Sequence, residues 1–149
     1  MWVWKAFLRG HNPILYDLGI LGGGVPPDPS EGEPSFESLE PARQAMGDTR
    51  GFAEQVSLLT MLPRADLSST GFALADPGTE YLILQPSETA VPFTIALTPG
   101  QYAVEWHSLT SRDTTPDAAL TIPDDSKINI SAPAEIAGPV VAHLRRISS

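Results

Sequence analysis

The chain has 149 residues, of which 42% are apolar and 18% charged, and its formal net charge at pH 7 is −9. This apolar content is enough for a core, which argues against disorder throughout, and the scarcity of Lys and Arg argues against nucleic acid or an anionic membrane surface as a partner. The absence of cysteine excludes disulfides, zinc ribbons and thiol catalysis. No segment approaches the roughly 20 apolar residues of a membrane-spanning helix, and the start MWVWKAFLRG lacks the basic region of a signal peptide.

The first 24 residues predict a helix, a turn and a buried strand. Apolar residues recur at helical spacing over residues 2–9, and Gly10 is suited to end that helix because glycine adopts a left-handed backbone without penalty. The turn at Asn12-Pro13 leads into an apolar run without alternation, which is typical of a strand covered on both faces. We expect this strand at residues 13–17, ending at Asp17.

Residues 25–64 predict a Pro-rich acidic loop followed by two helices. The helical pattern begins near Leu39 and is expected to break at Gly47, after which Asp48 or Thr49 would cap a second helix. The predicted buried face of that helix comprises Phe52, Ala53, Val56, Leu59 and Leu62. Its end is expected at the Leu62-Pro63 pair.

From Ala65 onwards the pattern alternates, which predicts short strands. Seven are expected, at residues 71–75, 80–85, 92–98, 101–107, 118–122, 127–131 and 138–145. The third and fourth would form a β-hairpin around Thr98-Pro99-Gly100, and the apolar run Tyr-Leu-Ile-Leu from Tyr81 predicts a central strand. The fold class is therefore mainly β, an antiparallel β-sandwich of about seven strands preceded by a helix-strand-helix piece.

Several segments together resemble a known family. They are WKAFLRGHNPILYD, the long run from PARQAMGDTR to EYLILQP, and GQYAVEWHSLTSRDT, in this order over nearly the whole chain. They are similar to the C-terminal end of the apiosidase-like glycoside hydrolases, which have a (β/α)₈ barrel followed by a C-terminal β-sandwich that carries a provisional collagen-binding label. After VEW the family usually continues with an aromatic-Asn-Pro turn, whereas this chain continues with HSLTSRDTT.

This resemblance implies two domains, residues 1–64 as a partial barrel remnant and residues 65–149 as the C-terminal sandwich. Residues 2–9 would be the seventh barrel helix, residues 13–17 the eighth strand and residues 48–62 the eighth helix. The chain would then be a fragment, its main partner would be the upstream barrel domain, and its location would be extracellular or periplasmic. Glycoside hydrolysis needs two carboxyl groups beside the scissile bond. The resemblance implies that the catalytic carboxyl groups of the family lie on earlier barrel strands. We therefore expect no catalytic residue and no activity in this chain alone.

Two residues are candidates for substrate binding. Asp17 would sit at the carboxyl end of the eighth barrel strand and could bind a sugar hydroxyl, or it could cap a loop. Trp106, with Tyr102, could stack on a sugar ring, but both share a strand face with Val104, so we favour core packing. Glu105 and His107 lie on the other face of that strand, which we interpret as solvated.

Metal and cofactor sites are not expected. The histidines His11, His107 and His143 have no metal-ligand spacing, and His11 would lie in a structural turn. The acidic group of Asp113, Asp117, Asp124 and Asp125 matches no calcium-loop motif, so a solvated turn is favoured. No phosphate loop and no serine-hydrolase elbow is present.

The leading functional hypothesis is a non-catalytic accessory sandwich that packs against and stabilises the barrel of a glycoside-hydrolase-like protein, with a contact to polysaccharide as a further role. The alternative is a binding or adhesion module of the collagen-binding type. Six apolar residues near the start are expected to form an exposed patch for lack of barrel strands, unless they refold against the sandwich: Trp2, Trp4, Phe7, Leu8, Ile14 and Leu15. Removal of the residues before about Ala65 is therefore expected to improve solubility.

Overall fold

Two helices and eight strands make up the computed structural model, which describes residues 1–15, 36–89 and 91–147, with the backbone alone for 36–38. The helices are α1 (Trp2–Phe7) and α2 (Phe36–Gln55), and one 3₁₀ turn spans Ala65–Leu67. The strands are β1 (Leu62–Pro63), β2 (Ala73–Asp76), β3 (Glu80–Gln85), β4 (Phe93–Leu97), β5 (Gly100–Ser108), β6 (Thr114–Ile122), β7 (Ser126–Ile130) and β8 (Val140–Arg146).

Eight antiparallel strands form two sheets of unequal size. The larger has the order β1-β2-β3-β8-β5-β6, and the smaller contains β4 and β7. Apolar side chains from the small sheet pack on one face of the large sheet, here called the inner face. The predicted mainly-β, sandwich-like fold is confirmed, and each of the seven predicted strands is present within a few residues of its expected position. The short strand β1 was not predicted.

The predicted hairpin around Thr98-Pro99-Gly100 is wrong. β4 pairs with β7, whereas β5 pairs with β6 and β8, so the turn carries the chain from one sheet to the other. Tyr102 holds this corner, since its hydroxyl donates to the Thr98 carbonyl oxygen at 3.0 Å and lies 3.0 Å from Thr98 Oγ1. Alternation predicts which face a residue occupies but carries no information about the partner strand, and here distant strands compete successfully for both segments.

The end of α1 agrees with the prediction, but the strand expected after it is not seen. Gly10 adopts a φ of +76°, while its N–H donates to the Phe7 carbonyl oxygen and the His11 N–H donates to that of Ala6, which is the Schellman arrangement. Of the predicted strand 13–17, residues 13–15 have no regular secondary structure and residues 16–17 lie outside the described residues. Ile14 is 76% exposed rather than covered on both faces.

Helix α2 runs without interruption through Gly47, so the predicted break and the capping roles of Asp48 and Thr49 are wrong. A glycine inside a helix costs only about 1 kcal/mol relative to alanine, which packing of the helix on the sheet can offset. The helix ends at Gln55, short of the expected end at Leu62-Pro63. Phe52 and Val56 are buried as predicted, but Leu59 lies beyond the helix end and is fully exposed.

Strand β3 is central and apolar on both faces, as its sequence predicted. Tyr81 and Ile83 belong to the inner core, while Leu82 and Leu84 belong to a second core on the opposite, outer face. We call α1 and α2 together the helical layer, since their side chains cover that outer face. Trp4, Phe7 and Leu8 are buried there with Val3, which is the alternative of packing against the sandwich, whereas Trp2 and Ile14 are exposed as the patch prediction has them. The apolar helix was predicted correctly, but its partner is the sheet of this same chain.

Candidate functional site

The two residues proposed for sugar binding have different outcomes. Asp17 lies outside the described residues. Trp106 is 1% exposed and packs edge-on against Phe93 in the inner core, with ring centroids 6.2 Å apart. Its indole N–H donates to Asp117 Oδ2 at 2.9 Å. This environment is the one that the core-packing interpretation of Trp106 predicts, and Tyr102 and Val104 share it.

The outer face of β5 is not the solvated face that we predicted. His107 is buried beneath the helical layer, where the rings of Trp4 and Phe52 lie 5.7 and 5.2 Å from it, centroid to centroid. Glu105 retains partial exposure at the border of the same layer. Because the helical layer covers this face, a polar residue at an outward strand position becomes a buried group that needs partners.

Five polar side chains form a row between the helical layer and the sheet, which we call the polar seam: Asp48, Glu80, Glu105, His107 and His143. At its centre His143 Nε2 lies 2.7 Å from Glu80 Oε1, while His143 Nδ1 lies 3.7 Å from Glu105 Oε2. Glu80 also accepts a hydrogen bond from the Ser57 N–H at 3.2 Å, just past the end of α2. The seam thereby ties three strands of the large sheet to the helical layer.

At the other end of the polar seam, α2 is tied to the turn between β5 and β6. The guanidinium of Arg112 donates from Nη2 to Asp48 Oδ1 at 2.7 Å and from Nε to both carboxylate oxygens of Asp48 at 3.1–3.2 Å. This hydrogen bonding raises the pKa of Arg112. Arg112 holds a φ of +65°, which is uncommon for a residue with a side chain and is sustained here by the ion pair.

An exposed apolar surface, the docking surface, lies where the chain leaves each helix. Its members are Ile14 after α1 and Leu58, Leu59 and Leu62 after α2, all of them exposed. Leu58 and Leu62 also line two adjoining grooves of about 500 and 260 Å³, whose other main lining residues are Phe7, Asn12, Pro13, Met46, Ala53 and Met61. The run SLLTMLP, apolar at four of seven positions with no helical continuation, is the sequence signal that could have revealed this surface.

Two glycines of α2 lie beside the docking surface. Gly47 lines the larger groove, and Gly51 follows one turn later in the same helix. A methyl group added at either position would meet nothing within 4 Å. Since each glycine weakens a helix interior and neither is required by packing within the described residues, the exposed backbone is available to a close-approaching partner.

A second concavity lies at one end of the sandwich, between the sheets. It has a volume of about 340 Å³ and is lined by apolar residues together with Arg64, Asp125 and Lys127. Arg64 is engaged by Asp66 through two hydrogen bonds of 2.7 and 2.9 Å. The volume of this concavity is within the range of small-ligand sites, although the charged groups that line it are of both signs.

Metal-ligating clusters and membrane-spanning helices were sought within the parts of the chain that the structure describes. There, no three His, Asp or Glu side chains converge closely enough to hold a metal ion. Among the same residues, no helix has the length and apolar character needed to cross a membrane.

Comparisons with known proteins identify a fold but not a family. No protein-family profile and no curated protein matches the sequence. A solved structure of a glycoside hydrolase matches with a TM-score of 0.58 at 10% sequence identity, over 79% of this chain. The chain spans only 28% of that protein's length. The chain therefore shares the fold of one part of a glycoside hydrolase, and this likeness is compatible with an accessory domain.

Proposed function

We propose that this chain is a non-catalytic accessory domain of a glycoside-hydrolase-like protein, of the apiosidase-like type, which packs against and stabilises the catalytic barrel. The observation that carries the proposal is the docking surface. Four large aliphatic side chains are exposed there, and two of them, Leu58 and Leu62, line grooves of about 500 and 260 Å³. The helix beside them exposes the backbone of Gly47. Contiguous exposed apolar surface of this kind is typical of protein interfaces.

The structural likeness supports the same partner. The matched glycoside hydrolase has more than two thirds of its length outside the region of similarity. A domain of that size is a suitable occupant for an apolar surface on the helical layer. In this proposal the helical layer lies between the two parts, since the sandwich packs against one side of it and the catalytic barrel against the other.

The acids of the polar seam support the absence of catalysis in this chain. Glu80 is buried against His143, and Asp48 is engaged by Arg112. Neither carboxylate faces a cleft that could hold a sugar between two acids, as glycoside hydrolysis requires. We expect no hydrolysis of aryl glycosides or pectic oligosaccharides by the purified chain.

The experiment begins with the DNA upstream of the Met1 codon. If it encodes a barrel domain, that domain is produced separately and its binding to this chain is measured by calorimetry. Leu58→Asp and Leu62→Asp should each weaken binding at least tenfold, because a carboxylate would be desolvated in an apolar contact. Asn129→Asp, on the small sheet, is the matched control and should bind as the wild type does.

Two results would overturn this proposal. One is the absence of any barrel domain in the upstream DNA. The other is equal binding of Leu58→Asp, Leu62→Asp and the wild type, which would remove the docking surface from the interface even if the barrel does bind.

A glycan- or collagen-binding module is the second candidate function. The observation that favours it is the concavity of about 340 Å³ between the sheets at one end of the sandwich. Immobilised plant cell-wall polysaccharides and collagen would each be tested as ligands. Retention that is lost in Lys127→Ala, while Leu58→Asp retains it, would favour the binding module. Retention unaffected by Lys127→Ala would exclude this pocket as the site.

A further inference from the structure

His107 occupies a closed position in the contact between the helical layer and the sheet. Its ring packs against those of Trp4 of α1 and Phe52 of α2, which also contact each other, and its Nδ1 lies 3.1 Å from Thr114 Oγ1. Its Nε2 is buried and has no hydrogen-bond partner among the described residues. An imidazole in this environment is stable as the neutral ring, since the cation would lose its hydration without gaining a direct hydrogen bond.

The charged groups around His107 do not reverse this preference. From α2, Asp48 Oδ2 lies 3.9 Å from Nε2, but Arg112 already engages both oxygens of that carboxylate. Asp113 contributes a second weak attraction from the β5–β6 turn, and Arg112 opposes protonation. From β8, His143 also contacts Phe52, with ring centroids 5.8 Å apart. α1 contributes the uncharged Trp4. Burial is the largest effect and lowers the pKa of His107 below its ordinary value.

A cavity lies close to this position. It has a volume of about 120 Å³ and is bordered by Met1, Trp4, Asp48 and Arg112, which include one ring partner of His107 and the carboxylate 3.9 Å from its Nε2. His107 does not itself line the cavity, so we expect proton exchange with solvent to require a separation of the helical layer from the β5–β6 turn.

We propose that His107 is a pH-sensitive contact whose protonation at mildly acidic pH weakens the attachment of the helical layer to the sheet while the two sheets remain folded. In the detached state the ring is hydrated and titrates near its ordinary value of about 6.5. The neutral ring therefore contributes its full stabilisation to the closed state above about pH 6.5, and this contribution declines as the pH falls below that value. This inference concerns the chain itself and does not depend on the proposed catalytic partner.

Hydrogen exchange at pH 7.5 and pH 5.5, normalised to intrinsic exchange rates, tests the proposal. Protection of α1 and α2 amides should fall up to about tenfold over this interval, because one proton is linked to opening. Amides of β4 and β7 should keep their protection. In His107→Gln, which has no titrating ring, the loss in the helices should disappear. His11→Gln, at an exposed histidine after α1, is the matched control and should behave as the wild type does.

Each contrary result counts against the proposal. Equal protection of the helices at both pH values in the wild type would overturn it, as would a parallel loss in helices and sheets. A pH-dependent loss that persists in His107→Gln would assign the effect to another group and overturn the proposal. If His107→Gln does not fold, the His107 ring can be titrated by NMR in the wild type, and a midpoint at or above 6.5 would overturn the proposal.

Discussion

The two faces of the large sheet are covered in different ways. The inner face meets the small sheet through an apolar core in which the polar atoms of Tyr102 and Trp106 are satisfied locally, by Thr98 and Asp117. The outer face meets the helical layer through an apolar cluster and, beside it, the polar seam. The unpartnered buried side-chain atoms of the described residues all lie at this outer contact, on Trp4, His107 and His143.

This difference indicates unequal stability of the two contacts. The inner contact is an apolar core, whereas the outer contact contains the buried imidazole of His107, whose protonation responds to a change of pH. We expect the inner contact to set the global stability of the chain and the outer contact to open first. The helical layer, which also carries the docking surface, is then the adjustable part of the molecule.

The largest effect is expected from removing residues 1–64. This deletion would expose Leu82, Leu84 and Val141 on the outer face, which are completely buried in the full chain. We therefore expect the remaining sheets to stay folded but to self-associate through this face, the opposite of the sequence-based expectation of improved solubility. Light scattering would measure the association, and urea unfolding would test the fold. A 65–149 fragment that stays soluble and monomeric would contradict the need for the helical layer to cover this face.

Truncating one tryptophan on each face compares the two contacts directly. Trp106→Ala and Trp4→Ala each remove a fully buried ring, which typically costs about 3–5 kcal/mol. Trp106→Ala should destabilise the whole chain in one transition. Trp4→Ala should release the helical layer first, so helix content followed by circular dichroism would fall before the sheet signal. A single shared transition in Trp4→Ala would show that the two contacts are not separable.

A smaller loss is expected from His143→Ala in the polar seam. The substitution removes the ring 2.7 Å from Glu80 and leaves a buried carboxylate with only the Ser57 N–H, at an expected cost of about 3 kcal/mol. Glu105→Gln alters the exposed end of the same row and should stay within about 0.5 kcal/mol of the wild type. Urea unfolding of both variants checks this order, and equal losses would refute it.

The smallest effect, and one of opposite sign, is expected from Gly47→Ala. The added methyl group meets nothing within 4 Å, so the isolated chain should gain about 0.5–1 kcal/mol from the better helix former. The same methyl group should weaken binding of the catalytic partner if the glycine backbone is part of the docking surface. Thermal unfolding gives the first result and calorimetry the second; unchanged binding would place the partner elsewhere.

The strands were predictable from the sequence because their alternation reflects the two environments of each strand. β3 is the clearest case, since its run of apolar residues correctly indicated cover on both faces. The pairing partners of the strands were harder to predict from the sequence than the strands themselves. β4 and β5 are close in sequence, yet each has its partners far along the chain, and local turn residues at 98–100 do not encode that choice.

The candidate sites were less predictable than the strands. His107 occupies a position that alternation assigns correctly to the outer face, but its burial depends on the helical layer, whose packing on this sheet was not expected. Asp48 was interpreted as a helix cap because Gly47 precedes it, and only the uninterrupted helix brings it to Arg112. Long-range packing decides both environments, and a local pattern does not contain it.

The position of β8 has a consequence for biosynthesis. This strand follows all the other described strands but lies in the middle of the large sheet, where it pairs with both β3 and β5. It also contributes to both cores, with Ala142 and Leu144 on one face and Val141 on the other. Until residue 146 has left the ribosome, β3 and β5 each present an unpaired edge to their surroundings. The large sheet therefore cannot close before all eight strands have been made, and a nascent chain stalled before residue 140 would expose an aggregation-prone sheet.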